Sequence, residues 1–144
     1  MTNKEKRLLL IKDLCAKFPY GVKGLHRGQV HELFTIDGRE VNSASIQVDG
    51  YDAWFPIDTF KPYLRPMSSM TDEEREEWAD LFNLELDKLN EIDDEDKAEE
   101  LAPYYFGKSH QVSIDWLNKN MFDYRGLIPM GLALKAPDGM YENN

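Results

Sequence analysis

The sequence has one cysteine, three histidines and no long apolar run. A lone Cys15 can form neither an internal disulfide nor a multi-cysteine zinc site, which suits a reducing compartment. Within the first 17 residues the longest uninterrupted apolar run is Leu8–Ile11. That is short of the roughly 7 to 15 residues of a signal-peptide core, and no stretch approaches the about 20 residues of a membrane-spanning helix. The expectation is a cytoplasmic protein with no membrane partner. Glycine and proline are also sparse, at nine and seven in 144 residues, which excludes collagen-like and Pro/Gly-rich disordered classes.

What is present is an apolar fraction of 42%, enough to build a core, in a chain long enough for one compact domain or two very small ones. The formal charge is −10, which argues against direct nucleic-acid binding, because such binding needs lysine and arginine to displace counterions from phosphates. The acidity is concentrated: residues 72–100 hold 15 acidic residues against Arg75, Lys88 and Lys97. The composition also changes at Pro66–Thr71, a boundary that separates a helix plus small β module (1–66) from a helical segment with the acidic stretch and the tail (67–144), packed together as one unit.

Lys4–Lys17 has the spacing of an amphipathic helix with Leu8, Ile11 and Cys15 on one stripe and Leu14 beside it, capped by Thr2 or Asn3. Phe18-Pro19-Tyr20-Gly21 ends it. Val22–His26, Gln29–Ile36, Val41–Val48 and Ala53–Phe55 read as strands, with Asp37-Gly38 as a two-residue hairpin signal and Asp49-Gly50 as the next turn. Ile57–Phe60 fits one 3₁₀ turn, and Lys61–Arg65 a final edge strand that tolerates Pro62. Short strands in this order predict a small SH3-like antiparallel β-barrel or an open meander. Thr71 with Glu74 is a capping box, and Trp78, Leu81, Phe82, Leu86 and Leu89 follow at helical spacing. A short helical turn before Pro103, a third helix over Gln111–Asn120 and an ordered tail of turns from Phe122 to Tyr141 complete an α+β fold.

Several stretches carry a resemblance. Leu14–Val22 (LCAKFPYGV), Lys61–Thr71 (KPYLRPMSSMT), Asp115-Trp116-Leu117 with Phe122–Ile128 (FDYRGLI), and the endings Gly131–Leu134 and Gly139–Tyr141 resemble an uncharacterised family of small proteins encoded by gut bacteria and their phages or prophages. The resemblance implies a mobile-element accessory protein or a host-encoded relative. It supplies no activity and no catalytic or binding residue.

The residues themselves offer little chemistry. His26, His31 and His110 lack the i, i+4 spacing of paired ligands, and a site shared by His26 and His31 would need Glu32 or a distant carboxylate, so no metal is expected. Asp93–Asp96 fails the calcium-loop pattern, with Ala98 where glycine belongs and Tyr104 where the bidentate glutamate belongs. Cys15 is placed on the apolar stripe as a small hydrophobe. There is no nucleophile elbow, phosphate-cradling loop or dinucleotide fingerprint, so neither catalytic residue nor cofactor is expected and the reading is non-enzymatic. The two aromatic clusters, Tyr51–Phe55 and Phe122–Arg125, are both expected chiefly to pack, with Trp54 and Phe55 alternating across a strand and Asp123 and Arg125 tying down the tail, whereas Pro103–Gly107 is the aromatic stretch expected at the surface.

Two binding readings follow. In the first, the chain is a protein-binding accessory factor that meets an unidentified protein through Trp54, Tyr104, Tyr105 and Phe106. In the second, Glu73, Glu76, Glu77, Asp80 and Asp87 form an acidic face that mimics nucleic acid and inhibits a DNA-handling enzyme. Salt separates them, because a mimic's binding is screened while an aromatic-anchored contact persists.

Overall fold

A computed structural model describes residues 1–141. The fold is α+β: a helix, a six-stranded sheet that is mostly antiparallel, and two further helices inserted before the last strand. The chain divides into two compact units, residues 1–67 with 118 onward, and residues 68–117. The tail, grouped with the helices on sequence grounds, thus belongs with the sheet.

In the first unit, helix α1 spans Asn3–Lys17 and is capped by Thr2, whose hydroxyl accepts from the Glu5 amide at 3.1 Å. Its buried face is Leu10, Ile11 and Leu14, joined by Asp13 and Lys17. This corrects the expected stripe. Leu8 and Cys15 are exposed, because the core lies about 100° around the helix from the line through residues 8, 11 and 15.

The strands are β1 (Lys23–His26), β2 (Gln29–Asp37), β3 (Ser45–Val48), β4 (Phe55–Pro56), β5 (Phe60–Leu64) and β6 (Leu134–Lys135), in the order β4-β3-β2-β1-β5-β6. The sheet is open, the meander of the two expected arrangements, with β4 and β6 at its edges. β1 and β2 are joined by Arg27-Gly28, both at positive φ (50° and 80°), the backbone of a tight turn that matches strand twist. Asp37-Gly38, by contrast, is no two-residue hairpin: seven residues separate β2 from β3, with a 3₁₀ turn at Val41–Ser43. Arg39 engages the Asp37 carboxylate through its backbone amide and guanidinium, and Ile11 packs so close that a Cβ at Gly38 would lie 2.7 Å from its Cγ2. The helix, not the dipeptide, decides the course of this connection.

The expected edge strand β5 lies inside the sheet, antiparallel to β1 and parallel to β6. Pro62 is tolerated there because it pairs only with Gly24 of β1, while β6 begins its pairing at Tyr63. The core of this unit unites α1 (Leu10, Ile11, Leu14), the strands (Leu33, Ile46, Val48, Phe60, Leu64) and the tail (Met121, Leu127, Ala133).

In the second unit, helix α2 spans Asp72–Asn90 and opens with the expected capping box, Thr71 and Glu74 exchanging bonds of 3.1 Å. Helix α3 spans Glu95–Lys119, its last two residues belonging to the first unit. It runs unbroken through Pro103, where a turn followed by a separate helix was expected. Proline removes the donor that would serve the Glu99 carbonyl, but both residues are exposed, so water can serve that carbonyl. The helices meet through Trp78 Nε1, which donates to the Ser113 carbonyl at 3.2 Å, through stacked Trp78 and Trp116, and through Ser109 Oγ, which donates to the Phe82 carbonyl.

Candidate interaction surface

Three groups of side chains stand out, two in the first unit and one in the second. The first gathers at the β1–β2 turn and the loop before β4. Antiparallel register places His26 opposite Gln29 and His31 opposite Gly24, so both imidazoles lie on one face of the β1–β2 pair. His26 is buried, its ring 4.5 Å from that of Phe55, and His31 meets Tyr51 edge-on at 5.4 Å. Tyr51 in turn stands edge-on to Phe55 at 6.1 Å, and the Arg27 guanidinium lies 4.5 Å from the Phe55 centroid. Trp54, beside this cluster in sequence, is 52% exposed and Tyr51 50%. Two large rings are therefore exposed on one loop, Tyr51 resting against packed neighbours, and exposed aromatics of this kind anchor interfaces.

The second group is internal. Lys17 Nζ donates to Asp13 Oδ1 at 2.5 Å and to Asn118 Oδ1 at 3.2 Å, and Arg125 Nε reaches the same Asp13 oxygen at 3.2 Å. The Tyr124 hydroxyl closes the ring, donating to Asn118 and accepting from Arg125. Asp13 and Lys17 are fully buried; desolvation pushes the carboxyl up from its ordinary range and the ammonium down, while their mutual attraction opposes both shifts. Asp123 accepts from the Leu127 and Ile128 amides at 2.8 and 2.9 Å, which ties the tail down as expected of this segment. Sequence reasoning missed the role of Lys17; the signal was the i, i+4 Asp13–Lys17 pair beside Leu14 on the helix.

No family model, curated protein or solved structure matches the chain. Its function has to be read from these groups alone.

The third group lies on α2 and α3. Glu73, Glu76, Glu77 and Asp80 are exposed along one face of α2 and continue into Leu81 and Leu84, lining a shallow hollow of about 440 Å³. Asp87 is exposed but lies beyond the leucines, so the acidic row is interrupted, and Glu77 accepts a bond from Trp116 Nε1 at 3.3 Å. Glu85, which the sequence reading left out, is buried and holds Lys88 and Lys108 at 3.0 and 3.5 Å; the Lys88 bond holds its carboxyl below the ordinary range. On α3, Tyr104 and Phe106 are 60% and 56% exposed while Tyr105 is half-buried, the alternation arising from helix geometry and not from an extended segment. The Cys15 thiol, though exposed, is pushed up by desolvation, the opposite of an activated nucleophile.

Proposed function

We infer that the chain is a non-enzymatic protein-binding module, an accessory factor of a mobile element or prophage, that docks a partner protein through the loop carrying Tyr51 and Trp54. One observation carries this reading: two half-exposed aromatic rings share one loop of the first unit, and one of them, Tyr51, packs on a cluster that includes an arginine. Tryptophan, tyrosine and arginine dominate interface anchors, the two aromatics because they bury much area at little entropic cost. Tyr104 and Phe106 are further exposed aromatics of α3, on different sides of that helix.

The test is capture from a bacterial lysate at low and high salt, with wild type and Trp54→Ala as parallel baits. A partner held by wild type at high salt and lost by the variant supports the reading, with an expected weakening of about 2 kcal/mol, or about thirtyfold in Kd. Equal retention by both baits moves the interface to Tyr104 and Phe106 or overturns it. Basic DNA-handling enzymes captured only at low salt would instead support the acidic-mimic alternative built on Glu73, Glu76, Glu77 and Asp80.

A further inference from the structure

We propose that the first unit binds a small zwitterion, an α-amino acid, in a cavity bordered by the turn after α1, the β1–β2 pair, the end of α3 and the tail. The cavity measures about 310 Å³, and Tyr20, Lys23, Glu32, Lys119, Asn120 and Tyr141 are among its walls. That volume is at the lower end of the about 300 to 1,000 Å³ of ligand pockets, room for a ligand of amino-acid size. All six residues belong to the first unit.

The charges around the cavity decide the ligand's chemistry. Antiparallel register sets Lys23 of β1 opposite Glu32 of β2, and alternation turns both to the face away from His26 and His31. Lys23 Nζ nevertheless donates to the Met140 carbonyl, at 3.3 Å, and the Glu32 carboxylate rests against Gly21, where a Cβ would lie 2.8 Å from Oε1. Among the described residues Lys23 and Glu32 form no ion pair, and neither does Lys119. Two ammonium groups and one carboxylate thus border a single hollow without neutralising one another. A ligand with one charge of each sign completes the pattern, its carboxylate at Lys23 and Lys119 and its ammonium at Glu32. A ligand with only a carboxylate leaves Glu32 unmatched, and one with only an ammonium meets two like charges.

The wall is also built in advance of any ligand. The Tyr141 hydroxyl accepts from the Lys23 amide at 3.0 Å and donates to the Tyr63 carbonyl at 2.7 Å, bridging β1 to β5 beside Pro62, which has no amide to give. Burial, with the Glu32 charge nearby, pushes the Tyr141 phenol up, so it stays a neutral hydrogen-bonding group. Tyr20, 44% exposed, offers its ring to the ligand's side chain, which favours aromatic members of the class.

The test is an amide NMR titration of the full chain with L-phenylalanine at about pH 6, where the ligand's ammonium is protonated, repeated with N-acetyl-L-phenylalanine and L-phenylalaninamide. The first analogue keeps only the carboxylate, as a peptide C-terminus does, and the second only the ammonium, as an N-terminus does. The expected result is saturable shifts of the Gly21, Lys23, Glu32 and Lys119 amides, with Tyr51 and Trp54 still. Half-saturation should fall at about 1 mM, the scale set by a ligand of about twelve non-hydrogen atoms, and either analogue should bind about tenfold more weakly. Glu32→Gln and Lys119→Gln, both at exposed positions, should each weaken L-phenylalanine about tenfold while circular dichroism shows the fold retained. Glu32→Gln should at the same time improve binding of the N-acetyl analogue, which a merely damaged site would not do. Should one variant not fold, the other carries the test. No saturable shift up to about 20 mM, undiminished binding in a folded variant, an analogue that binds as tightly as L-phenylalanine, or shifts centred on Tyr51 and Trp54 would each overturn the proposal.

Discussion

At the scale of single residues, the most consequential choice is a lysine with no access to solvent. Lys17 has no exposed surface, and its ammonium shares Asp13 with Arg125. A buried pair of this kind gains less than its short distance suggests, since both ions give up water to form it, yet removing one member strands the other. Lys17→Met is therefore expected to destabilise the first unit by about 3–5 kcal/mol, softened where Arg125 still compensates Asp13, as urea unfolding would measure. The double variant Asp13→Leu/Lys17→Met should recover part of that loss, because no fully buried carboxylate is left stranded, while Arg125, a quarter exposed, loses its partner and keeps the recovery incomplete. Periodicity on α1 located a helix but not this pair, since apolar spacing carries no information about a charged residue that turns inward to meet a partner about a hundred positions away.

At the scale of elements, Glu85 joins α2 to α3 through Lys108 and pairs with Lys88 on its own helix. Its folded-state pKa lies below the ordinary 4.5, so its contribution is fully present above that value and fades as pH falls through the depressed one. Comparing wild type with Glu85→Gln across that range, by thermal melting of the α2–α3 signals, should show a difference that is largest near neutrality and closes in acid. Elements with strong local signals were legible: the Thr71–Glu74 box announced α2, and the glycine and proline around residue 20 ended α1. Elements decided by distant partners were not. Asp37-Gly38 has the composition of a hairpin, but Arg39 and Ile11 impose a longer connection; Pro103 has the composition of a break, but α3 passes through it with its open carbonyl in water. The aromatic loop at residues 51–55 was visible as a cluster. Its two histidine neighbours were visible only as isolated residues, because register across β1 and β2 is what makes them adjacent.

At the scale of the whole molecule, the two units differ in how they are held. Most fully buried apolar residues belong to the first unit, whereas among the described residues of the second only Met70, Trp116 and Leu117 reach that state. The second unit also holds 16 acidic residues against four basic ones, a source of self-repulsion that salt screens. Native-state hydrogen exchange should therefore find the amides of Leu33, Ile46 and Leu64 the slowest and those of α2 faster, with added salt slowing α2 more than the sheet. Equal protection in both units would show that they open together.

The parallel pairing of β5 with β6 has a further consequence for how such a chain can change. A parallel neighbour demands a long crossing connection, and residues 68–117 lie within it. The connection leaves and returns at nearly one place: Arg65 donates its amide to Met121 at 2.8 Å, the Asp123 amide donates to Arg65 at 2.8 Å, and the Arg65 guanidinium rests 4.2 Å from the Phe122 centroid. With its two ends fastened together, the helical stretch is a cassette. A change in its length, charge or surface aromatics is therefore expected to leave that pair of backbone bonds in place.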